Sequence, residues 1–140
     1  MSAINMKRVI LGGLVAGLVI NVSETILNVP VLGSEMEAAL VKLNLPPVGG
    51  SAIATFVVMS FVLGVVLVWL YAAIRPRFGP GPKTAVIAGL AVWFLAYCYG
   101  SLAMGAMGLF GTGLLTISTI WGLVEMLVAA QVGGWLYSEP

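Results

Sequence analysis

The chain contains no histidine and a single cysteine, Cys98. Without histidine there is no bis-histidine haem, and a zinc or copper site of the usual imidazole type has no ligands. One cysteine cannot close an intramolecular disulfide, which excludes thiol redox chemistry that works through paired cysteines. Cys98 reads instead as a small buried hydrophobe. No cofactor is expected, and no metal is assigned. Charge is as scarce as sulfur: Lys and Arg number 6, Asp and Glu number 5, and the net charge is +1. No basic run is present that could neutralise a row of phosphates, so nucleic acid is not expected as a partner.

What is there is hydrocarbon. Of 140 residues, 61% are hydrophobic and 8% are charged, whereas a soluble domain is about a quarter charged. The apolar residues gather into four runs, each long enough as a helix to cross the ~30 Å of a bilayer. The expectation is an all-α membrane protein in one domain, 1–140: a four-transmembrane-helix bundle with helices near residues 9–29, 52–74, 84–104 and 114–137. The first run is too long for the ~7–15-residue core of a cleavable signal peptide, so it is expected to remain as a helix. Pro30 and Gly33 should end it. The loop 30–51 is too polar to cross; Ser34 and Glu37 have capping-box spacing, which predicts a short helix near 34–45 lying over the bundle as a connector or lid. Pro46, Pro47, Gly49 and Gly50 then stop it.

Lys7, Arg8, Arg75, Arg77 and Lys83 would all fall on one side of such a bundle, against Lys42 on the other. The excess of positive charge predicts both termini on the cytoplasmic side. Trp69-Leu-Tyr71 and Trp135-Leu-Tyr137 close the second and fourth runs, and Gly13-Leu14 resembles Gly89-Leu90, a pattern that fits two parallel helical-hairpin repeats. Small residues recur at helical spacing: Gly13 and Gly17, Ser60 and Gly64, and Gly122, Ala129 and Gly133. Such faces let helix backbones approach closely.

Against this background two carboxylates stand out. Glu24 lies inside the first run and Glu125 near the middle of the last, and no Lys, Arg or His sits near the centre of any run. An ionised carboxylate in hydrocarbon costs at least a few kcal/mol, so an intramembrane acid is a functional candidate by default. Asn21, Glu24, Thr25 and Asn28 recur at helical spacing and form one polar stripe. Tyr97, at membrane depth in the third run, needs a hydrogen-bond partner. These six residues, Asn21, Glu24, Thr25, Asn28, Tyr97 and Glu125, make up the candidate ligand or ion site. Paired acids with neutral amide and hydroxyl oxygens suit a proton or a small cation. A hydrogen-bonded acid that merely ties helices together is the plainer alternative.

The Arg75-Pro-Arg-Phe-Gly-Pro-Gly-Pro-Lys83 turn, with Asn21-Val-Ser-Glu24 before it, resembles uncharacterised small four-span integral membrane proteins of bacteria. That resemblance implies a bacterial inner membrane location and no particular activity. Small multidrug resistance transporters share the small size and a first-helix glutamate. This chain, however, is longer, has a much longer outer loop, places its acid off-centre and carries a second one, and none of that family's residues is transferred. The leading expectation is a bilayer protein, most simply a homodimer, that binds or moves a small cation in a proton-linked way. A non-transporting scaffold or accessory subunit, docking through its small-residue faces, is the alternative. An enzyme ranks third, since the two acids have no nucleophile, metal set or phosphate loop beside them.

Overall fold

The structure, a computed structural model, describes residues 3–139. Among these the chain is an all-α bundle of α1 (Met6–Val31), α2 (Gly33–Lys42), α3 (Gly50–Phe78), α4 (Pro82–Ala106) and α5 (Thr112–Leu136). All but α2 are long and apolar enough to cross a membrane, at 26, 29, 25 and 25 residues. Each spanning helix reverses the one before it. Both termini and the α3–α4 turn therefore share one end, and α2 and the α4–α5 turn share the other.

The helices overrun their apolar runs for identifiable reasons. At the start of α1, Asn5 caps the helix, its Oδ1 accepting from the Arg8 amide at 3.3 Å. At the end of α3 the helix continues through Arg75, Pro76 and Arg77 to Phe78. Cations in the last turn are favoured by the helix dipole. The basic segment expected to be all turn is thus mostly helix, and only Gly79, Pro80 and Gly81 make the turn. Gly79 and Gly81 have φ of +84° and +117°, which side chains with a Cβ rarely adopt.

Pro30 does not end α1. The helix widens into a π turn over Leu27–Val31, with the Leu32 amide donating to the Leu27 carbonyl at 2.7 Å. A proline ring clashes with the carbonyl four residues back and supplies no N–H. One wider turn accommodates both defects without breaking the rod. Nor does Ser34 cap α2: it lies inside that helix, and its hydroxyl donates to Glu35 Oε2 at 3.2 Å. No residue of α2 is buried, so it joins α1 to α3 without closing over the bundle.

The small-residue faces meet one another within the chain. Gly13 and Gly17 of α1 lie against Gly64, Val65 and Phe61 of α3, and Gly133 of α5 lies against Val68, Ala16 and Gly12. The core made by this close approach is concentrated towards the end that carries the termini: Val9, Ala16, Leu67, Val68, Ala72, Ala85, Ala88, Ala129 and Ala130 are all buried. Towards the other end the helices part. α3 buries nothing before Gly64, α4 nothing after Val92 and α5 nothing before Gly122.

The termini end is closed by a matched pair of tyrosines. Tyr71 and Tyr137 pack edge to face, with ring centroids 6.1 Å apart. Tyr71 Oη accepts from the Gly81 amide just before α4, at 3.0 Å, and Tyr137 Oη accepts from the Asn5 amide just before α1, at 3.2 Å. Asn5 precedes Gly13 by the same spacing as Gly81 precedes Gly89. The two Trp-Leu-Tyr segments thus do equivalent work, each tying its helix to the start of the first helix of the other hairpin. Arg75 lies 5.5 Å above the Tyr137 ring and 3.5 Å from Glu139.

Candidate functional site

Where the packed half of the bundle gives way to the open half, three helices bring a hydrogen-bonded chain of side chains together. Glu125 on α5 is its centre. It is only 4% exposed. Its Oε1 accepts from the Tyr97 hydroxyl of α4 at 2.5 Å, and its Oε2 accepts from the Ser23 hydroxyl of α1 at 2.5 Å. Ser23 Oγ in turn accepts from the Trp121 indole at 2.9 Å. On the far side of the phenol, Tyr97 Oη is 3.3 Å from Glu24 Oε1, and Asn28 Nδ2 donates to Glu24 Oε2 at 2.9 Å. The two acids therefore meet within one chain, bridged by a single tyrosine.

Two local features put that tyrosine in place. A second π turn, Phe94–Cys98, with the Tyr99 amide donating to the Phe94 carbonyl, interrupts α4 around it. An extra residue in one turn rotates everything that follows and re-aims the side chains within it; such turns recur at functional sites. Gly122 of α5 then leaves room for the ring. A Cβ at that position would sit 2.6 Å from Tyr97 Cδ1. Gly122→Ala is expected to push the phenol off Glu125 and to lower stability by about 1–3 kcal/mol, the usual cost of an added methyl in a tight core. Thermal unfolding in detergent measures the second effect; a change in Trp121 fluorescence, whose indole bonds to the same network, reports the first.

Of the six residues expected in the site, Glu24, Asn28, Tyr97 and Glu125 are joined in this network. Asn21 and Thr25 are not. Asn21 Nδ2 donates to the carbonyls of Gly17 at 3.1 Å and of Val57 on α3 at 3.4 Å, and Thr25 Oγ1 donates to the Asn21 carbonyl at 2.8 Å. Thr25 bonds back to its own helix, as hydroxyls within apolar helices often do, and Asn21 ties α1 to α3. Ser23 and Trp121 are in the network although the polar stripe did not include them. Each had a signal. Ser23 is the hydroxyl on the face that also carries the buried Ala16, Ile20 and Leu27, and Trp121 stands one helical turn before Glu125.

Among the described residues no cationic side chain bonds to either acid, and α3 contributes no Asp, Glu, Lys or Arg until Arg75, at the termini end. Among the described residues no group of three or more Cys, Asp or Glu is positioned to hold a metal ion. An open, apolar groove of about 470 Å³ between α1 and α5 reaches the network at Ser23 and Trp121, lined otherwise by Leu18, Val19, Val22 and Ile26. Comparison with family models, with curated proteins and with solved structures gives no match for this chain.

Proposed function

We propose that the protein binds a small cation at Glu24 and Glu125 in exchange for a proton, and that this exchange underlies movement of the cation across the membrane. The observation that carries the reading is the phenol bridge. Two carboxylates reach the same tyrosine at membrane depth with no basic side chain to balance them. Buried charge has to be balanced by a partner or removed by protonation. A proton and a cation are the two ways to do so here, and they compete. Glu125 is reached only through its neighbours, whereas Glu24 is half-buried beside exposed Asn28, the side from which a cation would approach.

The competing reading is a scaffold that docks a partner through its small-residue faces. Gly13, Gly17, Gly64, Gly122 and Gly133 are already in contact with other helices of the same chain. Those faces are therefore not free for docking, and this favours the cation reading. Assembly as a homodimer remains part of the proposal, with residency in a bacterial inner membrane.

The test is cation binding to purified protein in proteoliposomes, followed as proton release. For one-for-one exchange, the apparent affinity rises by about tenfold per pH unit over the range in which the site is protonated. Binding that ignores pH, or no binding of alkali or organic ammonium cations between pH 5 and 8, would remove the proposal.

The orientation belongs to the same reading and is tested separately. Lys7, Arg8, Arg75, Arg77 and Lys83 lie at the termini end, so that end is proposed to face the cytoplasm. In a Cys98→Ala background, Ala38→Cys should label from outside intact cells and Pro80→Cys should not. The reverse pattern would invert the topology.

A further inference from the structure

We infer that Tyr97 is a proton relay between Glu24 and Glu125, and that the three side chains share one carboxylic proton. This rests on the reading of the two acids as a proton-linked site, and it goes further in saying how the proton travels.

A neutral phenol has one hydrogen to donate, yet Tyr97 Oη lies within hydrogen-bond distance of both acids, 2.5 Å from Glu125 Oε1 and 3.3 Å from Glu24 Oε1. It can donate to only one of them and must accept from the other. Two arrangements meet that count: the phenol donates to Glu125 and accepts from a protonated Glu24, or it donates to Glu24 and accepts from a protonated Glu125. In either arrangement one of the two acids carries the hydrogen. All the other bonds run in the same direction without using any hydrogen twice. Asn28 donates to Glu24 Oε2, Ser23 donates to Glu125 Oε2, and Trp121 donates to Ser23. The complete chain has one protonated acid, one carboxylate and no orphaned donor.

Such a chain can reverse. The Glu24 Oε1–H bond breaks as a new O–H forms on Tyr97, while the original Tyr97 O–H breaks and its proton passes to Glu125 Oε1. The phenol is neutral before and after, the negative charge moves from Glu125 to Glu24, and no other reactant takes part.

On the other side of Glu125, Ser23 borders the apolar groove between α1 and α5, whose lining holds no titratable group to carry a proton on, and the Trp121 indole N–H donates and cannot accept. The ionisable groups facing the phenol are Glu24 from α1 and Glu125 from α5; α3 offers none before Arg75, apart from Tyr71 at the termini end. Cys98, next to Tyr97 on α4, lines a different groove, with Ser101, Thr116 and Thr119. Buried Glu125 therefore exchanges its proton by way of Tyr97 and half-buried Glu24.

The test is infrared spectroscopy of the full chain in proteoliposomes, following the C=O stretch of protonated carboxyl groups after a pH jump in H2O and in D2O. A shared proton places the carboxylic acid band on both acids, so Glu24→Gln and Glu125→Gln should each shift or weaken it. Tyr97→Phe keeps the ring packed on Gly122, as thermal unfolding will report. It should slow protonation of Glu125 by about 100-fold, the lower end of what a positioned proton-transfer group contributes. If Tyr97→Phe does not reconstitute, Glu24→Gln carries the rate measurement, because an amide cannot pass a proton on and must show the same slowing. A band that one of the two glutamine variants leaves unchanged, or a Glu125 rate that neither Tyr97→Phe nor Glu24→Gln changes, overturns the relay. Neither measurement uses a cation. Cation binding with an unbroken rate in the variants would refute the relay alone, and an intact relay with no response to any cation would refute the proposed function alone.

Discussion

Glu125→Gln should leave a folded protein that no longer binds a cation. The carboxylate accepts two short hydrogen bonds, from Tyr97 and Ser23, and is 4% exposed. Glutamine has the same shape. Its carbonyl can accept from one hydroxyl, and its amide can donate to the other, because a hydroxyl is both donor and acceptor. The hydrogen bonding survives and the charge does not. Removing one partner of a buried charge pair costs about 2–5 kcal/mol, or roughly 30-fold to several thousand-fold in affinity. Glu24→Gln should act differently. Its amide can donate to Tyr97 as a protonated acid would, so it imitates a proton-bearing state; weak cation binding that no longer responds to pH is expected. Glu125→Ala is the control for structure. It strands both hydroxyls and should cost about 1–3 kcal/mol of stability, which neither glutamine does. Binding in proteoliposomes and unfolding in detergent, measured for all three, separate loss of charge from loss of packing. Wild-type binding in Glu125→Gln would reduce the acid to a structural tie.

Gly64→Ala should be the most damaging single methyl in the chain. A Cβ there would collide with the Gly13 carbonyl oxygen and the Gly17 amide nitrogen, and would lie 2.8 Å from Gly17 Cα. Every one of these atoms is backbone. A side chain could rotate away, but a helix backbone can yield only by moving the whole of α1 off α3. Overpacking usually costs about 1–3 kcal/mol and more where nothing can give, so a loss of at least about 3 kcal/mol is expected. The same displacement would carry Ser23 and Glu24 away from α4 and α5, because they ride on α1. Loss of thermal stability and of cation binding together is the expected result. Gly100→Ala, where an added Cβ meets nothing within 4 Å, is the comparison and should stay close to wild type in stability. Equal stability of the two variants would mean that α1 and α3 do not touch as described.

Much of this was legible in the residues. Four apolar runs separated by Pro, Gly and charge can only be satisfied as membrane-spanning helices, since hydrocarbon leaves the backbone no other partner. The small-residue spacings marked the faces that pack, and Glu24, Tyr97 and Glu125 were conspicuous as polar groups at membrane depth. The helix ends were harder to read. Pro30 is a stop signal in sequence, and whether a helix stops or widens depends on the energy of one turn against the packing of the residues around it, here buried Leu27 and Leu32. Arg75 to Arg77 look like loop because they are polar, although at a helix end the dipole and water stabilise them in place.

Composition and periodicity thus determined that this chain is a four-span helical bundle carrying two acids inside it, because the solvation of backbone and charge is a property of each residue taken almost alone. Which polar groups meet was decided only by the tertiary structure. A periodic stripe assigned Asn21 and Thr25 to the site and left out Ser23 and Trp121. The partner of a side chain depends on how α1 is rotated against α3 and α5, and on a π turn in α4 that shifts Tyr97 relative to any regular helix. Rotations of that kind follow from the backbone contacts at Gly13, Gly17 and Gly64, and from the room that Gly122 leaves for the Tyr97 ring. They belong to pairs of helices, and no single helix contains them.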